Sequence, residues 1–261
     1  MADTGSGSTG DNTSNGDNQT PPPPPQPQSV MGFMLSNKVE AGLWLTRLFT
    51  VICTFFFFIP IIGSGPHGFY QRALISNAAT SALRLHQRIP NVQLNMAFLK
   101  TLMLEDSCHY LFFSLIFLNS SPITMALMPV FLFALLHACN YTKNVLNIMG
   151  PNFLQFVRNL IQKLQSQQVS VLRFVACTEI FIMPTIVFMM FTGRSSIFLP
   201  IIYYRFLILR YTSRRNPYCR TLFSEMRMTV DYLTNKPQCP GILRTLCQKS
   251  IGVLYRLAPQ M

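Results

Sequence analysis

Leu43–Ile62 reads LWLTRLFTVICTFFFFIPII. About twenty predominantly apolar residues at 1.5 Å rise match a hydrocarbon core of about 30 Å. Trp44, the only tryptophan, stands at one end, where an interfacial anchor belongs. Arg47 lies one turn inside that end, close enough to snorkel to the headgroups. Pro60 and Gly63 close the segment. The stretch reads as a membrane helix, and the rest of the chain agrees.

Hydrophobic residues make up 49% of the 261 positions and charged residues only 11%, against about 25% charged in soluble domains. A soluble core of this length needs more charge to keep its outside wet. Two further apolar blocks follow. Cys108–Cys139 carries Asn119-Ser120-Ser121-Pro122 near its middle. It is either one span with apolar shoulders or two short helices folded as a hairpin. Residues 171–192 form the third block, with Glu179 and Pro184 inside, and the shorter piece 197–209 is too short to cross upright.

Between the blocks lie stretches with helical period. In 67–89, Tyr70, Leu74, Ala78, Ala82, Leu85 and Ile89 form one stripe opposite Arg72, Ser76, Thr80, Arg84 and Arg88. Such a helix lies in the interface or packs on the bundle. Residues 153–164 set Phe153, Val157, Leu160 and Leu164 against Gln155, Arg158, Asn159 and Lys163. Two more amphipathic helices occupy 213–261, with stripes Tyr218, Leu222, Met226, Val230, Leu233 and Leu243, Cys247, Ile251, Leu254, Leu257. From Arg205 onward there are ten basic and two acidic residues. Arg214, Arg215, Arg220, Arg227, Arg244, Lys249 and Arg256 are thus candidates to bind anionic lipid headgroups or a protein partner. Packing of the stripes on the bundle is the alternative.

The expected architecture is an all-α integral membrane protein with three to five transmembrane or hairpin helices plus amphipathic interfacial helices. A polar, proline-rich tail over 1–32 precedes a helical membrane region over 33–212, and basic amphipathic helices over 213–261 follow. The tail composition cannot offset its ordering entropy. It has no Lys or Arg, while the C-terminal region is the most basic. The positive-inside rule therefore expects a lumenal tail, a cytosolic C-terminus and an odd number of crossings. Three crossings put Lys143, Arg158 and Lys163 in the lumen and five put them in the cytosol; re-entrant hairpins reconcile charge with segment length. Sequons at Asn12, Asn18 and Asn140 report on the sides.

No catalytic constellation is present: the chain lacks G-x-S-x-G, H-E-x-x-H and nucleotide-loop spacings. No cofactor is expected. The seven cysteines are scattered without a C-x-x-C pair. Cys108-His109 and His137/Cys139 bracket the second block, but nothing in their spacing requires a metal. Nucleic acid is a poor partner, since the net charge of +12 comes with no nucleic-acid motif. Glu179, mid-block, must pair or be protonated; Arg205 in the next apolar piece is the expected partner.

Several polar strings carry a resemblance. Arg47–Thr50 (RLFT), Phe69–Leu74 (FYQRAL), Ser81–Arg88 (SALRLHQR), Leu104–Leu111 (LEDSCHYL), Tyr203–Leu207 (YYRFL), Arg214–Phe223 (RRNPYCRTLF) and Arg256–Pro259 (RLAP) occur in this order. Over about residues 33–259 the chain resembles the transmembrane protein 33 family, also called Krüppel homologue 2 or Pom33-like. The resemblance implies a non-enzymatic protein of the endoplasmic reticulum membrane and nuclear envelope. It also implies roles in tubular membrane organisation, nuclear pore distribution or the unfolded protein response. The implied partners are anionic membrane lipids, reticulon-type membrane shapers, nucleoporins or stress sensors. A regulatory interaction protein of the stress response or of a membrane channel is the second reading.

Overall fold

The computed structural model describes residues 29–59, 65–89, 95–150, 153–213, 216–236 and 240–257. They form eleven helices and, among the described residues, no strand. In chain order these are α1 (Val30–Ser36), α2 (Lys38–Phe58), α3 (Pro66–Arg88), α4 (Met96–Met103), α5 (Asp106–Leu118), α6 (Thr124–Met149), α7 (Gln155–Ser166), α8 (Gln168–Phe191), α9 (Phe198–Thr212), α10 (Tyr218–Thr234) and α11 (Gly241–Leu257). The all-helical membrane class expected from the apolar blocks holds. Three helices, α2, α6 and α8, are long and apolar enough to cross a membrane, or four if the bent pair α4–α5, turned by 81°, is taken as one.

Three reversals of the chain make three hairpins, α2–α3, α5–α6 and α8–α9; the arms of the second stand apart, α5 packing on α3 and α9 and α6 on α2 and α8. The second block is the hairpin rather than one long span: the Tyr110 and Phe133 rings meet at 4.7 Å, both more than two turns from the Asn119–Ile123 break. The third turn follows from its sequence. Gly193 adopts φ 70°, so that its N–H reaches Met190 O at 3.1 Å and Arg194 N–H reaches Met189 O at 2.9 Å. These are the two bonds of a Schellman cap, which needs a left-handed residue and so favours glycine.

All three hairpin turns lie at one end of the bundle. Ser121 Oγ donates to Arg194 O at 3.1 Å, joining the second turn to the third. Phe56 and Phe57, at the end of α2, meet Phe69 and Tyr70 at the start of α3. A cavity of about 200 Å³ lies between the second and third turns, with Ile116, Ser120, Ser121, Met189, Arg194 and Leu199 in its wall. At the opposite end, the base, Trp44 Nε1 donates to Thr142 Oγ1 at 3.0 Å and stacks on Tyr141. Phe33 of α1 packs on the same tyrosine, and Arg173 of α8 pairs with Glu225 of α10 at 2.6 Å.

The first described residues and the helices after α9 leave the bundle at the same end, with α1 and the head of α2 docked beside Tyr141 and Val145 of α6 and α10 paired to the start of α8. The tail itself, up to residue 28, lies outside the described residues; α1 begins inside the stretch assigned to it.

Along α3 the two faces change roles. Tyr70 and Leu74 are buried as expected, but so are Ser76, Asn77, Thr80 and Ser81, while Ile75 and Leu83 are exposed. Ser76 donates to Thr46 O at 2.8 Å, and Thr50 donates to Ser76 at 2.9 Å. Thr80 donates to Thr46 Oγ1 at 2.9 Å, and Asn77 donates to Ser114 of α5 at 2.8 Å. The helix packs on the bundle through small polar residues. That is how helices associate where lipid is as apolar as leucine. Outside, Phe49, Ile52, Phe55, Phe188, Phe191 and Phe198 face outward on the tip half.

Replacing Ser76 by alanine removes two interhelical bonds and should cost about 1 kcal/mol, the scale of such bonds in membrane proteins. Ser76→Leu should cost more by forcing α2 from α3. Denaturant titration of the purified chain in mild detergent checks both, with Ile75→Ala on the exposed face as the near-neutral control.

Candidate functional site

Glu179 sits midway along α8 and is fully buried. Its carboxylate does not meet Arg205, which points outward from α9. The inward face of α9 is Tyr203, Phe206, Leu207 and Arg210, a three- and four-residue spacing that leaves Arg205 about 140° away from Arg210. Arg210 is the partner: its Nε lies 3.0 Å from Glu179 Oε2 and its Nη1 lies 3.3 Å from Asp106 Oδ1. Tyr110 donates its hydroxyl to the other Glu179 oxygen, and its ring lies 5.2 Å beneath the Arg210 guanidinium. Tyr203 donates to Glu179 O at 2.7 Å, and Ser213 to Asp106 at 3.0 Å. His109 makes a 2.7 Å contact from Nε2 to Met103 O, which holds the α4–α5 elbow.

This network ties the start of α5, the middle of α8 and the end of α9 together at one level. It marks where the short helices stop. At 1.5 Å per residue the 13 residues of α5 and 15 of α9 reach about 20 Å and about 22 Å from the tips. Beyond that level α10 takes over as the cover of α8, with Cys219 packed on Ala176 and Ile180. Both Glu179 oxygens are engaged, so the carboxylate is a structural clamp. Burial, and then the Glu179 charge, push the Cys219 thiol up to about 12.

The C-terminal candidates are placed unevenly. Arg220 and Lys249 are exposed. Arg227 is exposed beside Asp231 at 3.7 Å. Arg244 is turned inward, donating to Thr234 O at 2.8 Å and Lys236 O at 3.3 Å, where it caps the end of α10. Arg214 and Arg215 lie outside the described residues, and Arg256 is described only as a position in α11. The first part of the α10 stripe, Tyr218, Leu222 and Met226, packs on α8, while Met228, Tyr232 and Leu233 stay exposed. On α7, Ile161 is buried and Phe156 and Leu160 are exposed, as is Phe153 in the turn before it. Arg158 crosses back to Leu146 O and Gly150 O, at 3.0 and 3.1 Å, capping α6. Cys108, His109, His137 and Cys139 are not gathered: among the described residues no group of three potential ligands could hold a metal.

The acidic residues after residue 30 number six, and each is ion-paired: Glu40 with Arg84, Glu105 with Arg88, Asp106 and Glu179 with Arg210, Glu225 with Arg173, Asp231 with Arg227. Two of these contacts escaped sequence reasoning. Arg210 was hidden by its place at the edge of the apolar piece, although its four-residue spacing from Phe206 was a usable signal. Asp106 looked like a helix-start charge, and it is also that.

The fold and its charged layer thus define a polytopic membrane protein of helical hairpins. The chain belongs to the family described as Transmembrane protein 33/Nucleoporin POM33, whose model matches residues 22–260. It is similar to human Transmembrane protein 33, 56% identical over 87% of this chain and 92% of the relative. Krueppel homolog 2 of Drosophila melanogaster is 37% identical over 90% and 84% of the two chains. The Transmembrane protein 33 homolog of Caenorhabditis elegans is 39% identical over 88% and 86%. None of these names is that of an enzyme. No solved structure matches the chain.

Two outcomes test the clamp. Glu179→Met and Arg210→Met should each destabilise the bundle by about 3–5 kcal/mol, because each strands a buried charge; the double replacement should recover most of that loss. Denaturation of all four chains in detergent gives the coupling. Cys219 should resist maleimide at pH 8 in the folded protein, while partly exposed Cys247 reacts; mass spectrometry of the labelled chain reads both.

Proposed function

We propose that this protein organises endoplasmic reticulum and nuclear envelope membrane without catalysing a reaction, by inserting three hairpins from the cytosolic side. One observation carries the reading: the turns share one end, and the basic residues and the outer helices share the other. On the tip side, among the described residues, Arg72, Arg194 and Arg205 carry charge, and the rest of the exposed surface is largely phenylalanine, isoleucine and leucine. Arg84, Arg88, Lys143, Arg158, Lys163, Arg173, Arg220 and Lys249 belong to the base half. The positive-inside rule makes the base cytosolic.

The tip half is about 20 Å deep up to the Arg210 layer, less than the about 30 Å hydrocarbon core. Around the base, α4, α7, α10 and α11 present Met96, Phe156, Tyr232 and Ile242 to the outside. Helices of this kind lie in the headgroup plane and draw on anionic lipid. Hairpins of that depth with a ring of in-plane helices occupy more of the cytosolic leaflet than of the lumenal one. That asymmetry favours curved membrane. The nucleoporin in the family's description supports the nuclear envelope as one site of action. A regulatory role, with α10 and α11 docking a stress sensor or channel, is the second reading. It rests on Ile242 and Leu246, exposed at 87% and 61%.

The full chain reconstituted into large phosphatidylserine-containing vesicles should narrow them into tubules as the protein-to-lipid ratio rises. A variant with serine at Phe156, Ile242 and Leu246 should insert but narrow them less. Vesicles left round by the parent chain contradict the reading and favour the interaction role. In cells, Asn140 should carry no glycan, because Thr142 is held against Trp44 at the cytosolic base; glycosidase treatment of the full chain checks it.

A further inference from the structure

Arg47 has no counterpart in the pairing pattern above. It is 6% exposed, and among the described residues it makes no hydrogen bond and no ion pair. A buried, unpartnered guanidinium is expensive. Unlike Nη2 of Arg210, its nitrogens are not sealed from the surface.

Its neighbours are placed by contacts already described. The Trp44–Thr142 bond and the Trp44–Tyr141 stack set α2 against α6 running the other way. Arg47, one turn toward the tips, therefore stands level with His137, one turn back along α6. The Thr46–Thr80 bond fixes α3 beside the same turn. Arg84 and Arg88 continue the buried face of Asn77 and Ser81 toward the base. Arg47, Arg84 and Arg88 all act electrostatically on His137, whose ring is exposed. Glu40 takes Arg84 at 3.5 Å and Glu105 takes Arg88 at 2.6 Å. One fixed positive charge is left over, that of Arg47.

We propose that Arg47, flanked by Arg84, Arg88 and His137, is a site for a single phosphate group, the phosphodiester of a membrane glycerophospholipid held where α2, α3 and α6 meet. One surplus cation matches one monoanion. A guanidinium meets phosphate oxygens with two parallel N–H donors, which fixes orientation as well as charge. Depth agrees: Arg47 is midway along α2, about 17 Å from its tip end, at the level of the Asp106–Arg210–Glu179 layer, where the largely apolar surface gives way to the charged base. Glu40 pairs with Arg84 and Glu105 with Arg88; Glu40 also acts on Arg47 through its field but makes no ion pair with it. The depth assignment rests on the hairpin reading above; the binding itself does not.

The test uses the full chain in detergent after exhaustive lipid removal, with thermal unfolding followed against added phosphatidylglycerol, diacylglycerol of the same acyl chains, or inorganic phosphate. Phosphatidylglycerol should raise the midpoint in a saturable manner and diacylglycerol should not. In R47Q the concentration for half the effect should rise at least about tenfold, the weight of a charge-assisted pair. The R84Q/R88Q double variant should raise it less, and R205Q should match the parent. Without lipid, R47Q should be at least as stable as the parent, since it removes an uncompensated charge.

Equal response of R47Q and parent overturns the proposal, as does full stabilisation by diacylglycerol. Inorganic phosphate reproducing the whole shift overturns the lipid as the source. Should R47Q not fold, R47K takes its place with native mass spectrometry of the parent: phospholipid carried through purification and lost in R47K/R84Q supports the site, and none carried overturns it. Because the measurement is made in detergent, it is indifferent to sidedness and curvature, so failure there and failure of the membrane-organising reading are told apart.

Discussion

The bundle turns on one buried guanidinium. Arg210, in the last turn of α9, joins Glu179 on α8 to Asp106 at the head of α5, with the Tyr110 ring beneath it. An ion pair in so apolar a setting adds little stability in itself; its effect is to make every arrangement that separates the partners costly. Since α5 belongs to one hairpin and α8 with α9 to another, the pair sets the register between hairpins. Without this charged layer and the Tyr110 and Ser213 hydroxyls bonded to it, two hairpins of unequal arms would slide on phenylalanine surfaces that specify no particular position.

Around that fixed level the two halves of the molecule obey different rules. Below it, Phe113, Phe117, Tyr203 and Phe206 interlock in the interior, and the outward surface is largely apolar, as suits lipid on the outside, with Arg72, Arg194 and Arg205 as its charged positions. Above it, each acidic residue is paired and the surplus cations face outward or, in Arg47, inward. The α2–α3 interface joins the halves through its Ser and Thr ladder, which works at both depths because it needs neither charge nor hydrophobic contrast.

Much of this was legible in the sequence. The long apolar blocks gave α2 and α8 directly, and the Asn119–Pro122 punctuation marked the hairpin. Period alone located α3, α7, α10 and α11. What was misread shares a cause. In a membrane the apolar face need not be the inner one, so the stripe on α3 pointed the wrong way past Leu74, and Ser76 and Thr80 are inside. Docking of Phe33 and Trp44 against Tyr141 sets α1 at the base of the bundle, and such long-range aromatic contacts leave no local signature. Arg205 was favoured for its depth within the apolar piece, but helical phase, not depth, decides which arginine meets Glu179. Snorkelling of Arg47 was a sound expectation for an isolated helix; packing against α3 and α6 leaves only the edge of its side chain exposed.

The arrangement of all three turns at one end, with both outer segments at the other, is the central claim. It is tested most directly by placing one epitope before Met1 and another after Met261 of the full chain and permeabilising only the plasma membrane of expressing cells. Staining of both epitopes under that condition is the predicted result. An epitope at either end that stains only after the internal membranes are opened would put the two ends on opposite sides and contradict the three-hairpin account.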